Sequence, residues 1–165
     1  LAAILVFPGT DLLAEMRFIC WRGENGYTMT GKFEYPDELG SRRLIHESDV
    51  TLFRIEGWLD GAPIGSWSLD ALGPETSWRL RYDPQRHVFL LSSVDGLYQM
   101  WNANGAVDDC GDPGFGFNAG NGGQDVCVNN TFITASTIDP ATPLISYAEP
   151  QTRDCAGAPL LGKSG

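Results

Sequence analysis

The feature that most constrains the fold is an alternation of apolar and polar residues that recurs in several short segments. The pattern spans 27–35, where Gly31 interrupts it, and it returns over 50–59, 64–69 and 78–82. Turn-forming residues separate these segments. A two-residue period places one side of a strand in a core and the other side in water. We therefore predict an all-β chain folded as an antiparallel β-sandwich or a jelly-roll-like barrel.

Further strands are indicated by other patterns. The continuous apolar run over 88–91 predicts a strand that is buried on both faces or lies at the centre of a sheet. Phe115 and Phe117 alternate with glycines, which is typical of a strand that another backbone approaches closely. The last regular strand is expected at 132–133. No window favours a long helix, and the best candidate, 37–45, predicts one turn.

The domain organisation follows from length and from glycine content. A chain of 165 residues fits one domain with a core of its own. Seven glycines lie between positions 105 and 123, so the second half is expected to be rich in loops. We divide the chain into an apolar N-terminal segment, 1–14, and one all-β domain, 15–165.

The N-terminal segment allows three interpretations. The run from Leu1 to Phe7 is apolar and too short to span a bilayer, so it fits the end of an export signal with cleavage near Ala14. If it is retained, it predicts a docking arm that contacts a membrane surface or a membrane protein. A first core strand is the third interpretation. The arm would consist of Leu1, Ile4, Leu5, Val6 and Phe7.

The four cysteines predict disulfides. They lack the C-x-x-C spacing of zinc sites, and four cysteines allow three pairings. We favour Cys110 with Cys127, across a local glycine-rich loop, and Cys20 with Cys155, between the two ends of the domain. Free buried cysteines are the alternative. Disulfides indicate an oxidising compartment, here the periplasm or the cell exterior.

Charge excludes two classes of partner. The formal net charge is -10, and nucleic acids and anionic lipids are recognised through clusters of Lys and Arg. Between His87 and Thr152 there is no Lys or Arg, and the acidic residues there sum to -7. This half indicates a solvated acidic surface, a surface for a basic partner, or bound Ca²⁺.

The best metal candidate is the group Asp108, Asp109 and Asp112. Clustered carboxylates beside glycine-rich backbone suit the oxygen-rich coordination of Ca²⁺. Asp and Gly also dominate ordinary turns, which is the competing interpretation. We therefore predict no cofactor, unless Ca²⁺ binds at this group.

No catalytic residue can be assigned. A Ser-His-acid site needs a histidine beside a nucleophile, but the chain has His46 and His87 alone and no G-x-S-x-G motif. Paired carboxylates could serve glycoside hydrolysis, although no pair stands out. Trp58 falls on the polar side of its strand, so it is the candidate platform for stacking on a sugar.

Two stretches carry a family resemblance. The first comprises GYTMTGKF (26–33), ESDV (47–50) and GAPIGSWSL (61–69), and the second runs from CGDPGFGF (110–117) to CV (127–128). In these the chain resembles secreted bacterial proteins, many of unknown function, that often carry a PEP-CTERM sorting signal. The resemblance implies export and an all-β fold and assigns no functional residue. The Pro-Glu-Pro tripeptide, apolar tail and basic cluster of that signal do not follow Pro150, so anchoring by that route is not implied.

Together these features predict a non-enzymatic, exported structural or binding protein. The first alternative is a periplasmic accessory subunit docked on a multi-subunit membrane complex, such as a photosynthetic or respiratory one. The second is a carbohydrate-active enzyme or a glycan-binding module. The expected partner is a protein or a membrane-protein complex, with peripheral membrane contact through the N-terminal arm and no nucleic acid.

Overall fold

The fold is described from a computed structural model, which covers residues 13–41, 43–91 and 98–156. The predicted signal remnant or docking arm, with Leu1, Ile4, Leu5, Val6 and Phe7, lies outside the described residues. In chain order the described elements are β1 (Ala14–Arg22), β2 (Tyr27–Pro36), α1 (Asp37–Gly40), β3 (Ile45–His46), β4 (Leu52–Leu59), β5 (Ala62–Ser68), β6 (Trp78–Arg79), β7 (Arg81–Asp83), β8 (Val88–Phe89), β9 (Gln99–Trp101), β10 (Phe115–Ala119), β11 (Gln124–Val128), β12 (Thr131–Phe132) and β13 (Ser146–Tyr147).

The strands form two five-stranded antiparallel sheets and a small third one. The first sheet has the order β13-β1-β2-β4-β5, the second has the order β12-β11-β10-β9-β6, and the third joins β3, β7 and β8. Most neighbours follow each other along the chain, so each large sheet is a meander rather than the Greek-key arrangement of a jelly roll. The predicted all-β, disulfide-stabilised fold is confirmed, with sandwich-like packing.

The core lies between the two large sheets and is mainly aromatic. Phe53 of the first sheet and Trp101 of the second have ring centroids 5.1 Å apart, and Trp21 and Phe117 are 5.3 Å apart, both edge to face. All four side chains are buried. Edge-to-face rings add about 1 kcal/mol per pair beyond the burial of their area. The alternation that predicts the strands is therefore what supplies this core.

Several sequence expectations are met closely. The predicted strand over 27–35 is β2, and the segment at 50–59 forms β4. The single predicted helical turn is α1. The backbone at Asn102 approaches β10 closely, as predicted. A Cβ built at Gly116 would lie 2.1 Å from the carbonyl oxygen of Asn102.

Two strand predictions are wrong in detail. The segment 78–82 is not one strand, because it divides at Leu80 into β6 of the second sheet and β7 of the third. Its inward phase survives, since Leu80 and Tyr82 are fully buried. The run at 88–91 yields a two-residue strand, β8, in which Phe89 is buried and Val88 is half-buried. It lies at the edge of the small sheet, not at the centre of a large one.

Strand β1 was not predicted, because both of its faces carry apolar residues and a charge lies inside. Arg17 is 7% exposed. Its Nε donates to Ser146 Oγ at 3.0 Å and its second guanidinium nitrogen donates to the Ser146 carbonyl at 3.1 Å. A buried charge is tolerated when hydrogen bonds satisfy it. These bonds hold the short strand β13 beside β1.

The packing of the two sheets predicts a specific sensitivity at Gly57. A Cβ at this buried position would lie 2.1 Å from Cε2 of Phe115, a fully buried ring of the opposite sheet. Gly57→Ala is therefore expected to lower the free energy of unfolding by about 2 kcal/mol through overpacking. Urea unfolding would measure it, with Gly73→Ala as the control because the nearest atom there is 3.8 Å away. Equal stability of the two variants would contradict the close sheet contact.

Candidate functional site

The outer face of the second sheet carries a row of side chains that does not belong to the main core. Met100 on β9 pairs with Asn118 on β10, and Asn118 pairs with Asp125 on β11. The next residues along, Trp101, Phe117 and Val126, form the matching row on the inner face and are buried. Because strand side chains alternate between faces, Asp125 is directed away from the aromatic core.

The loop between β9 and β10 covers part of this outer face. Cys110 in the loop is bonded to Cys127 of β11, and Ala103 and Val107 complete a small apolar cluster with them. Asn102 fixes the start of the loop, since its Nδ2 donates to the carbonyl oxygens of Cys110 at 2.8 Å and Phe115 at 2.9 Å. The loop covers the Cys127 end of the sheet and leaves a cleft beside it.

The cleft has a volume of about 500 Å³. Its described lining combines apolar and aromatic side chains with polar ones, and it includes glycines of the β10–β11 turn. The described residues that line it are Tyr98, Met100, Gly105, Val107, Asn118, Gly120, Asn121, Gly122, Gly123, Asp125, Phe132 and Thr137. A cleft of this size with few convergent polar groups is typical of a small-molecule site.

Asp125 is the unusual residue of the cleft. Asp125 is 5% exposed, and this burial raises the pKa of its carboxyl to about 6. Among the described residues, three buried polar side-chain atoms have no hydrogen-bond partner: Asp125 Oδ1, Thr137 Oγ1 and Trp101 Nε1. The first two line the cleft. Buried polar groups are nearly always hydrogen-bonded, so such a coincidence indicates a binding site.

The two buried atoms of the lining residues that lack a partner, Asp125 Oδ1 and Thr137 Oγ1, can both accept hydrogen bonds. The Asn118 amide nitrogen donates to the carbonyl oxygens of Asn104 at 2.9 Å and Ala103 at 3.5 Å, so this donor is already used within the protein. A carboxylate accepts hydrogen bonds, and a hydroxyl can do both. None of the described lining residues is Lys, Arg or His.

The β10–β11 turn brings Thr137 close to Asp125. Gly120 N donates to Gly123 O at 3.1 Å and closes the turn. A Cβ at the buried Gly123 would lie 2.5 Å from Thr137 Cγ2. The absence of a side chain at Gly123 therefore permits the close approach of Thr137, which lines the cleft together with Asp125.

Both predicted disulfides are present. Cys20 is bonded to Cys155, and Cys110 to Cys127. The favoured pairing is thus confirmed, and among the described residues no cysteine is free. The long bridge anchors the C-terminal segment on the outer face of the first sheet, and the short one holds the loop that borders the cleft.

Two of the predicted calcium residues, Asp108 and Asp109, accept hydrogen bonds from their own loop and from Ser77. Asp109 accepts from Ser77 Oγ at 2.6 Å and from Asn104 N at 2.6 Å, and Asp108 accepts from Asn104 Nδ2 at 3.1 Å. Asp112 is exposed. The described part of the chain holds no group of three or more His, Cys, Asp or Glu side chains arranged for a metal ion. Calcium binding stays a prediction, and none of the three aspartates is among the described residues that line the cleft.

Trp58 is half-buried rather than fully open. Its Nε1 donates to Thr30 Oγ1 at 3.0 Å, and the guanidinium carbon of Arg153 lies 5.0 Å from the centre of its ring. Arg153 is itself held where its carbonyl accepts from Thr28 Oγ1. A role for Trp58 as a sugar platform stays a prediction and would require Arg153 to leave the ring.

The two histidines have structural contacts. His46 N donates to Asp49 Oδ2 at 2.9 Å at the start of a short 3-10 turn, and the exposed His87 has Nδ1 3.3 Å from the Tyr82 hydroxyl. The Tyr82 hydroxyl is 2.7 Å from Ser146 Oγ, to which Arg17 also donates. A nucleophilic hydroxyl needs a base beside it, and a guanidinium is a hydrogen-bond donor that cannot act as one. We therefore interpret these contacts as structural: they connect β1, β7 and β13.

Sequence reasoning missed Asp125 as a site residue and counted it within the acidic half. A local signal did exist, because Asp125 stands between Gln124 and Val126 in a run of five residues that includes Cys127. Its two-residue spacing from a disulfide cysteine puts both side chains on one face of the strand. An acid in that position is buried only if the disulfide-bonded β9–β10 loop packs over it. The alternation of residues along the strand does not show where that loop lies.

No protein-family model, curated protein or solved structure matches the chain. Within the described residues, no helix has the length and apolar character that crossing a bilayer requires.

Proposed function

We propose that this chain is an exported, non-catalytic binding protein that takes a small ligand into the Asp125 cleft. The observation that carries the proposal is the buried Asp125 carboxyl: its Oδ1 lacks a partner, and the residue lines a cleft that also contains apolar side chains. An unpaired buried charge lowers stability. A protein retains such a group where a ligand completes its hydrogen bonds, which is why perturbed carboxyls cluster at functional sites.

Two further features support this reading. The two disulfides are consistent with an oxidising location outside the cytoplasm. The described lining of the cleft contains one carboxyl group, Asp125, whereas glycoside hydrolysis requires two that face each other. Binding therefore accounts for the cleft with fewer groups than catalysis would need.

Thermal unfolding with a panel of small compounds tests the proposal. The panel should contain amines, alcohols, sugars and carboxylic acids, because the function as proposed does not depend on the class. A ligand at about 100 times its Kd adds about 2.7 kcal/mol, which raises the Tm of a chain of this size by several degrees. We expect at least one class to do so with the wild-type chain and not with Asp125→Asn.

Asp70→Asn is the matched control, because Asp70 is an exposed acid outside the cleft lining. It should keep the full rise in Tm. If no class raises the Tm, or if Asp125→Asn responds as strongly as the wild type, the cleft is not a ligand site and the proposal is wrong.

A further inference from the structure

The chemistry of the cleft narrows the ligand class, given the binding function proposed above. We propose that the Asp125 cleft binds an organic ammonium ion, a primary amine carried on an aliphatic or aromatic body. Its N–H groups would donate to the Asp125 carboxylate and the Thr137 hydroxyl, and its body would lie against the apolar wall. Three features of the described residues carry this assignment.

The first feature is the hydrogen-bonding deficit of the cleft. Asp125 Oδ1 and Thr137 Oγ1 are buried without a partner, and the Asn118 amide nitrogen is already bonded to two backbone carbonyls. A ligand must therefore bring donors. A primary ammonium has three N–H groups on one atom, which can serve both acceptors together. A sugar presents as many acceptors as donors, and it does not supply three donors on one atom.

The second feature is charge. No described lining residue is basic, and the sequence from 88 to 152 contains no Lys, Arg or His. A buried carboxylate without a counter-charge attracts a cation and repels an anion, and the interaction is strengthened where water is excluded. A metal ion fits less well, because Ca²⁺ takes six to eight oxygen ligands and the described lining provides one carboxyl.

The third feature is the apolar wall. Phe132 lines the cleft and is 39% exposed, so its ring is accessible to a ligand. Met100 and Val107 line the cleft with it. Tyr98 already has the Arg79 guanidinium carbon 4.7 Å from its ring centre, so we assign the ligand to the Phe132 ring. An aromatic face attracts an ammonium group. Burial of the ligand's apolar body against these side chains also favours binding.

Isothermal titration calorimetry on the full chain at pH 7.5 tests the assignment. The probes are 2-phenylethylamine and n-hexylamine, each paired with the alcohol of the same skeleton, and phenylacetate as the anion. Hydrogen bonds to charged groups are the strong ones, so each amine is expected to bind about 100-fold more tightly than its alcohol. Phenylacetate is expected not to bind.

Three variants assign the effect to the cleft. Asp125→Asn keeps the shape and removes the charge, so it should weaken amine binding about 100-fold and bring it to the level of the alcohol. Thr137→Val should weaken it about fivefold, the loss of one neutral acceptor. Asp70→Asn should leave it unchanged. Near-ultraviolet circular dichroism confirms that each variant keeps its packed aromatic core.

Each contrary result has a defined meaning. Alcohols that bind as tightly as amines, or amine binding that survives Asp125→Asn, would overturn the ammonium assignment. If neither amine binds but another class raises the Tm in an Asp125-dependent way, the ammonium assignment is wrong and the binding function stands. If no compound binds, both are wrong.

Discussion

Removing the Cys20–Cys155 disulfide is expected to lower the free energy of unfolding by about 5 kcal/mol, the largest effect predicted for this chain. The bond joins positions 135 residues apart, and in the chain-entropy model a cross-link stabilises by restricting the unfolded chain, more so for a longer loop. The Cys110–Cys127 bond spans 17 residues, and the same relation gives about 3 kcal/mol.

The experiment is urea unfolding of the variants Cys20→Ala/Cys155→Ala and Cys110→Ala/Cys127→Ala beside the wild type. Alanine avoids a new hydroxyl at Cys155, which is fully buried. Alkylation of the native wild type should label no cysteine, and alkylation after reduction and unfolding should label four. If the short bond proves the more stabilising, chain entropy does not determine the order of the two effects. Packing of the loop at the cleft would then be the main contribution.

Loss of the long bond has a local consequence as well. The segment that contains Arg153 and Cys155 crosses the outer face of the first sheet, where Thr28 and Trp58 contact it. Without the bond, the segment depends on noncovalent contacts such as these, and a single exposed hydrogen bond contributes about 1 kcal/mol. The same variant is therefore the one in which Trp58 would become open to a ligand.

Asp125→Asn is expected to raise the free energy of unfolding at pH 7.5 by about 2 kcal/mol. The folded-state pKa of about 6 lies above the ordinary value of 3.8, and one pKa unit corresponds to about 1.4 kcal/mol. Ionised Asp125 thus destabilises the folded chain by about 3 kcal/mol. The buried amide donors of asparagine offset about 1 kcal/mol of the gain.

The sign of the pH dependence follows from the direction of the shift. Between pH 3.8 and 6 the folded state binds a proton that the unfolded state has released, so this group makes stability fall as the pH rises. Above pH 6 the penalty is complete, and below 3.8 it is absent. Among the described lining residues, Asp125 is the one carboxyl group.

Urea unfolding of wild type and Asp125→Asn at pH 4, 5, 6 and 7.5 measures this dependence. The stability difference between them should grow over that range, while Asp70→Asn follows the wild type. A difference that stays constant with pH would show that Asp125 ionises normally, and the argument from its burial would fail. A variant less stable than the wild type at pH 7.5 would mean that an unseen partner compensates the charge.

The stability and binding predictions share one physical cause. The same ionised oxygen that lacks a partner in the free protein is the one that an ammonium ligand would meet. A binding site often lowers the stability of the free protein, and the ligand restores that stability when it binds. The higher free energy of unfolding of Asp125→Asn and its loss of amine binding should therefore appear together.

Much of the fold could be predicted because its causes are local. The alternation over 27–35 defines β2, since a strand's two faces are read directly from successive residues. The cysteine pairing was also accessible, because one pair closes a short glycine-rich loop and the other joins the two ends of the domain. Neither inference requires knowledge of distant packing.

Other features depended on contacts between distant segments. Strand β1 was hidden because its charged residue, Arg17, lies inside, where Ser146 satisfies it from 129 positions away. The segment at 78–82 kept its apolar phase but divided at Leu80, because its two halves pair with different sheets. Alternation reports which face a residue takes, and it does not report which strand lies beside it.

The candidate site belongs wholly to this second group. The residues alone indicate that Asp125 lies in an acidic region without basic residues, that Cys127 can form a disulfide, and that the region is rich in glycine. The folded chain adds that the loop bonded to Cys127 covers part of the outer face of β11, and that Asp125 is buried there with Oδ1 unpartnered and with Thr137 lining the same cleft. The reason is that burial and hydrogen-bond satisfaction are properties of the surroundings, which here come from the β9–β10 loop and the segment after β12.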